Sequence, residues 1–278
     1  ESNKAELDIL NLLGLFDRPA AKEAVDVLKK EPAIKGLTDR LQNLSNKDWQ
    51  LTLNHLRELR LIAEKDDHDP DTLDCHPLIR EHFGEKLEQQ SPDGWKEGHA
   101  RLYEYYKNKP KKELPDTLEE MEPLFTAVMH GCLAGRHQES LFDVYWKRIK
   151  RADEHYSTAK LGAYGEDLAC LSNFFESLWD KPASGMRKDF QAGTLSWAGQ
   201  SLRAVGRLYE AAQPIEASLE IAKSNKNWRP ASMRANNLSE LYLTLGNVTS
   251  AQKYGEQSVA FADHSEDGSQ METIRTTH

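Results

Sequence analysis

Apolar residues recur at three- and four-residue steps along most of this chain, the spacing that lays one face of an α-helix against a core. "AELDILNLLGLF" (Ala5–Phe16) is apolar enough for a core helix and is closed by "DRPA", and "AAKEAVDVLKK" follows before Pro32. A Ser45/Asn46 cap opens the next helix, with Trp49, Leu53, Leu56 and Leu59 along one face. The pattern then shortens to extended segments at Leu61–Glu64 and Thr72–Cys75 around an acidic turn, "DDHDPD". Pro77, suited to a first helical position because its missing N–H needs no partner there, opens a helix to Gln89. Helices followed by such a hairpin are the order of a winged helix.

From Trp95 onward no strand is expected. "WKEGHARLYEYY" reads as a helix and stops at a Lys/Pro-rich linker, "KNKPKKELPD". "TLEE" at Thr117–Glu120 has the capping-box pattern that restarts one. Leu161, Tyr164, Leu168, Leu171, Phe175 and Leu178 form an amphipathic stripe, ended by "WDKPASG". The last third repeats itself at the interval that separates Gly206 from Gly246. Each of these glycines divides two helices, and Leu202, Val205, Ala211, Ser218 and Ala222 are matched by Tyr242, Leu245, Ala251, Ser258 and Ala262. Small residues between large ones let the two helices of a hairpin approach closely, and stacked hairpins give a solenoid. These segments resemble tetratricopeptide repeats, in a form longer than the usual unit of about 34 residues. "LAGRHQESLFDVY" (Leu133–Tyr145) looks like a degenerate relative. The expected architecture is therefore mainly all-α: a winged-helix domain with a small β-hairpin over 1–90, a linker helix and loop over 91–116, degenerate helical hairpins over 117–185, and tetratricopeptide-like repeats over 186–278. The final "METIRTTH" reads as the start of a further hairpin, and the whole as a piece of a longer protein.

Composition narrows the function classes. The 278 residues carry a formal charge of −9, with 29% charged and 38% hydrophobic residues, and mean hydropathy is −0.71. No run approaches the ~18 apolar residues of a membrane span. Three widely separated cysteines, Cys75, Cys132 and Cys170, build neither a disulfide framework nor a metal knuckle, so a reducing cytoplasm is the expected location. No metal site is expected either: His130, Cys132 and His137 are close in sequence but read as packing or solvent-facing residues. The helix before the extended pair could read DNA, with Lys47, Arg57 and Arg60 against Asp48 and Glu58. Residues 1–90, however, hold 13 basic and 19 acidic residues, a charge of −6 that repels phosphates overall. A basic, aromatic-interleaved cluster at Tyr145–Tyr156 reads more simply as a solvated helix face. No nucleic-acid partner is expected.

A winged helix, then helical repeats, with "LDCHPLIREHF" (Leu73–Phe83) at the junction, resembles the C-terminal half of signal-transducing ATPases with numerous domains. The bacterial members with a nucleotide-binding core followed by tetratricopeptide repeats are the nearest likeness. "LGLFDRPA" (Leu13–Ala20), "DTLEEMEPLF" (Asp116–Phe125), "GCLAGRHQES" (Gly131–Ser140) and "NNLSELYLTLG" (Asn236–Gly246) look like their recurrent phrases, and the likeness spans nearly the whole chain. In that superfamily a Met-His-Asp motif places its histidine at the phosphates of bound ADP. The resemblance puts His76 in that place, with Cys75 for the methionine and Pro77 for the aspartate. On its residues alone, His76 reads as a cap for the helix that Pro77 opens or a partner for a backbone group, and only the resemblance sets a nucleotide role beside that reading. ADP or ATP is implied for a full-length protein only, as is homo-oligomerisation through its ATPase core. This chain has no GxxxxGK[ST] loop, GxSxG or HExxH; no cofactor and no catalysis are expected of it.

The positive function comes from the repeats. Stacked hairpins offer a surface lined by the first helix of each pair, suited to a peptide or protein segment. Helical spacing puts Ser196, Gln200 and Arg203 on one such stripe, and Asn236, Glu240 and Leu243 on the equivalent stripe of the next repeat. They form either a binding groove or an ordinary polar face. The expected role is a switch-and-sensor region in which the repeats bind a protein trigger and the winged helix relays it. A constitutive scaffold and a repeat-containing transcription regulator are the alternatives.

Overall fold

The computed structural model describes residues 2–265; the expected helix start at Met271–His278 lies outside them. The described chain is mainly α-helical and resolves into two compact units, the first formed by residues up to 111 with 126–136, the second by 112–125 with the chain from 137.

The first unit holds α1 (Ser2–Leu13), α2 (Lys22–Leu28), α3 (Asn46–Glu58), α4 (Pro77–Gln90), α5 (Pro92–Lys107) and the latter part of α6 (Leu118–Leu133). The Ser45 hydroxyl caps α3, accepting the Asp48 N–H at 3.1 Å. Leu53 and Leu56 are buried as the periodicity expects, but Leu59 is exposed. The helix has already ended, because Arg60 takes φ +57°. The two extended segments do not make a ladder. Ala63 N–H donates to the Asp74 carbonyl at 2.7 Å, while Leu73 exchanges both backbone bonds with Ala20, at 2.8 and 3.0 Å. Acidic side chains in the intervening turn bond their own backbone, as Asp66 does to the His68 N–H, and this competes with pairing. α5 follows α4 directly: Ser91 ends α4, and its carbonyl accepts the Trp95 N–H at 2.9 Å.

Backbones of α1 and α4 meet where Gly84 lies against Gly14. A Cβ on Gly84 would sit 2.7 Å from the Gly14 carbonyl oxygen. Gly84→Ala is therefore expected to destabilise the unit by about 2 kcal/mol, overpacking outweighing the ~1 kcal/mol that alanine gains in a helix. Urea denaturation checks this: the midpoint should fall at unchanged slope.

The second unit differs most from expectation in its first part. After α7 (His137–Glu139) the chain winds as a π-helix over Ser140–Ile149. A 3-10 turn at Ala152–Glu154 and a second π-helical turn at Tyr156–Lys160 follow, then α8 (Tyr164–Ser172). Arg151, Ala152 and His155 all have φ near +50°, a conformation costing non-glycine residues roughly 1–2 kcal/mol each. A buried carboxylate holds this region together. Asp167 is 0% exposed and accepts from the Tyr145 hydroxyl at 3.0 Å, the Ser157 hydroxyl at 3.2 Å and the Ser201 hydroxyl at 2.9 Å. Lys150 is also buried; burial lowers its pKa, and the Asp167 charge works against that shift. The stripe ending at Leu178 stops early. Phe175–Ser177 (β1) pairs antiparallel with Lys181–Pro182 (β2), and Trp179 at the turn has φ +61°.

Four helices of equal length complete the unit: α9 (Lys188–Ala204), α10 (Leu208–Ser224), α11 (Trp228–Thr244) and α12 (Val248–His264). Their starts are evenly spaced, so one hairpin carries Lys188 to Trp228 and Leu208 to Val248. The three turns share one geometry. Gly206, Lys226 and Gly246 take φ +80°, +55° and +77°, and the next N–H reaches back along the preceding helix, as Arg207 does to Leu202 and Asn247 to Tyr242. Glycine suits two of these turns because it has no Cβ to clash at positive φ. Within the hairpins, Ser218 donates to the Ala192 carbonyl, and its counterpart Ser258 in the next hairpin donates to Ser232.

Candidate functional site

The six residues assigned to the repeat stripe lie on α9 and α11, and the fold draws three of them together. The Arg203 guanidinium reaches from α9 to α11, donating to the Glu240 carboxylate at 3.3 Å and to the Asn237 carbonyl at 3.3 Å. The Asn236 amide donates to the other Glu240 oxygen at 2.9 Å. One carboxylate thus accepts from side chains of two successive repeats. Ser196 is instead buried, and Gln200 is exposed outside this network.

Glu240 also lines an open groove of about 580 Å³ between α11 and α12. Its walls carry Leu243 and Val248, and its floor is made of Ala251 and Gly255. Leu243 is 62% exposed, an apolar side chain beside a polar network. In the preceding repeat the position of Gly255 is held by Ile215, whose side chain packs where a Cβ on Gly199 would go. In this repeat Gly255 replaces that isoleucine and Ser239 the glycine, and the Ser239 hydroxyl donates to the Ala251 carbonyl at 2.8 Å.

A second cluster, not marked by any sequence signal, clasps the repeats. Glu216 on α10 accepts from the Tyr242 and Tyr254 hydroxyls, each at 2.8 Å, and the two rings stack with centroids 5.6 Å apart. Burial, then the Glu216 hydrogen bond, pushes Tyr242 up to about 12 and Tyr254 up as well, so both stay protonated donors. Arg234 on α11 is pushed down to about 10 by burial, and its Nε has no hydrogen-bond partner; neither has the Asn236 Oδ1.

His76 sits where the sequence placed it, at the start of α4. Its Nδ1 accepts the Leu78 N–H at 3.2 Å, which is a helix-cap bond. Cys75 is buried, and burial pushes its thiol up; His76 itself is exposed. Among the described residues no group of three or more His, Cys, Asp or Glu side chains could hold a metal ion, and no helix is long and apolar enough to cross a membrane.

No protein-family model matches the sequence, and no curated protein matches it either. Among solved structures, the chain is similar to the crystal structure of a signal transduction ATPase with numerous domains that has a tetratricopeptide repeat sensor, from Pyrococcus horikoshii. Sequence identity is 14% and the TM-score 0.35; the likeness covers 99% of this chain and 40% of that protein, so this chain spans well under half of its length.

Proposed function

We propose that the helical repeats are a sensor surface for a protein or peptide segment, and that the chain is the non-catalytic switch-and-sensor region of a signal-transducing NTPase. The observation that carries the binding site is the Arg203–Glu240–Asn236 network beside the groove under Leu243. Glu240 occupies, as an internal carboxylate, the place a partner's carboxylate would take on Arg203 and Asn236. The groove takes an apolar side chain of the same partner. Arginine and asparagine donors in fixed register recognise a carboxylate directionally.

In this reading the first unit is a winged helix that relays binding to a nucleotide-binding core. His76 lies beside the ADP of the full-length protein, and ligand binding releases that hold by favouring one of two states. His76→Ala in the full-length protein then loosens retained ADP.

The test of the binding site is a peptide selected on this chain from a displayed library and titrated against variants. Arg203→Ala/Asn236→Ala should weaken it at least tenfold, about 1.4 kcal/mol or more, with helical circular dichroism intact. Unchanged affinity in that double variant would move recognition to the helices between Thr117 and Trp179.

A further inference from the structure

We propose that a cleft of the first unit, between α2, α3 and the Lys65–Leu73 segment, is a binding site for a small phosphate-bearing anion. The cleft has a volume of about 380 Å³ and is lined by Arg57, Lys29, Lys65, Lys22, Trp49 and Asn46, with the Asp26 and Asp71 carboxylates at its rim. His76 is not among its walls, so this is not the place the family resemblance gives to a nucleotide.

Arg57 carries the argument. It is 8% exposed, and no carboxylate pairs with it among the described residues. It makes one hydrogen bond, Nη1 to the Asn54 side-chain oxygen at 3.2 Å, and its buried Nε has no partner. A buried N–H left without an acceptor is disfavoured, and an anion's oxygen in the cleft would supply that acceptor.

The neighbouring charges point the same way. Lys22 is engaged by Asp26 at 2.5 Å. Lys29 is half-buried with its ammonium 3.8 Å from the Trp49 ring centroid. Lys65 is exposed at the mouth. With the Lys22–Asp26 pair set aside, Arg57, Lys29 and Lys65 face the single carboxylate of Asp71. This net positive cleft sits in a segment, residues 1–90, whose overall charge is −6. An acidic surface disfavours a long polyanion, and the volume bounds the ligand to a small molecule. Convergent lysines and a forked guanidinium match a dianionic phosphate better than a single carboxylate. The group could arrive as free phosphate or as a phosphate monoester, whose organic part would lie along Trp49.

Calorimetric titration of the chain with inorganic phosphate and with phenyl phosphate in 0.15 M NaCl tests the site. Both should saturate one to one. Lys29→Gln/Lys65→Gln should weaken both at least tenfold while the fold, followed by circular dichroism, stays intact, and Arg57→Gln should abolish both. Equal affinities identify a site for the free anion; tenfold tighter phenyl phosphate identifies an ester site. The proposal is overturned if neither probe saturates by about 10 mM, a Kd equivalent to under 3 kcal/mol. It is also overturned if Lys29→Gln/Lys65→Gln leaves binding unchanged, or if those changes weaken duplex DNA binding in a chain that ignores both small probes.

Discussion

Replacing Asp167 with alanine should cost the second unit about 3–5 kcal/mol, the largest loss expected of any single polar substitution here. The carboxylate is fully buried and accepts three hydroxyl hydrogen bonds, from Tyr145, Ser157 and Ser201. Each of those bonds, made to a charged acceptor, taken singly contributes roughly 1.5–3 kcal/mol, so Tyr145→Phe or Ser201→Ala should each cost less than Asp167→Ala. Asp167→Ala removes all three and strips Lys150 of the negative charge that offsets its burial. The charge term separates the two explanations. If Lys150 left without compensation is a major part of the cost, adding Lys150→Met should recover a measurable share of it. Chemical denaturation of the single and double variants gives the coupling energy. A loss under about 1 kcal/mol for Asp167→Ala would show that the hub does not hold the π-helical region.

Acid should weaken the first unit well above the range where carboxylates titrate. His99 on α5 and His130 on α6 are each 1% exposed, and their Nδ1 atoms lie 2.8 Å apart. One ring must donate and the other accept, so the contact is lost once both rings carry an extra proton. Trp95 packs edge-on against His99, and Tyr106 stacks on His130. Burial, then the nearby Arg18 charge, brings His130 down to about 3; burial, then His130, brings His99 well below its ordinary value. Both folded pKa values lie under the unfolded value, so below about pH 6.5 the unfolded chain binds more protons and stability rises with pH. The contribution is complete above about 6.5 and is lost as pH falls toward 3, with a limiting slope of about 1.4 kcal/mol per pH unit for each proton. Urea midpoints measured between pH 7.5 and 5 should decline, and His99→Leu/His130→Leu should flatten that decline. Equal slopes in the two proteins would remove the pair from the account.

How much is legible in the sequence follows from what each signal measures. Helix periodicity locates α3, α4 and α9 to α12 closely, because a buried stripe must recur at the helical step. The hairpin period is readable because each hairpin repeats the same small residues at its helix contacts, Ser218 and Ser258 among them. Arg203, Glu240 and Asn236 emerge from spacing alone, since adjacent repeats bring equal positions side by side. Their mutual bonding does not, because it depends on how one hairpin stacks on the next. The amphipathic stripe misleads between Ser172 and Lys188 for a related reason: Phe175 and Leu178 continue the helical step, yet the chain has turned into a hairpin there. A π-helix has no residue code of its own, so Ser140–Ile149 reads as one more degenerate hairpin. The burial of Asp167 and Arg57 is not legible, because burial of a single charged residue is a property of the packed chain.

The equal helices and matching turns of α9 to α12 have an evolutionary reach. Since the end of α10 and the end of α12 offer matching surfaces, one hairpin's length of chain could be lost or duplicated in frame without creating a new kind of junction. Variation by whole hairpins would then lengthen or shorten the recognition surface while leaving every helix-to-helix contact type in place. Point changes at positions such as 203, 236 and 240 would set what is recognised, and the number of hairpins how much of it.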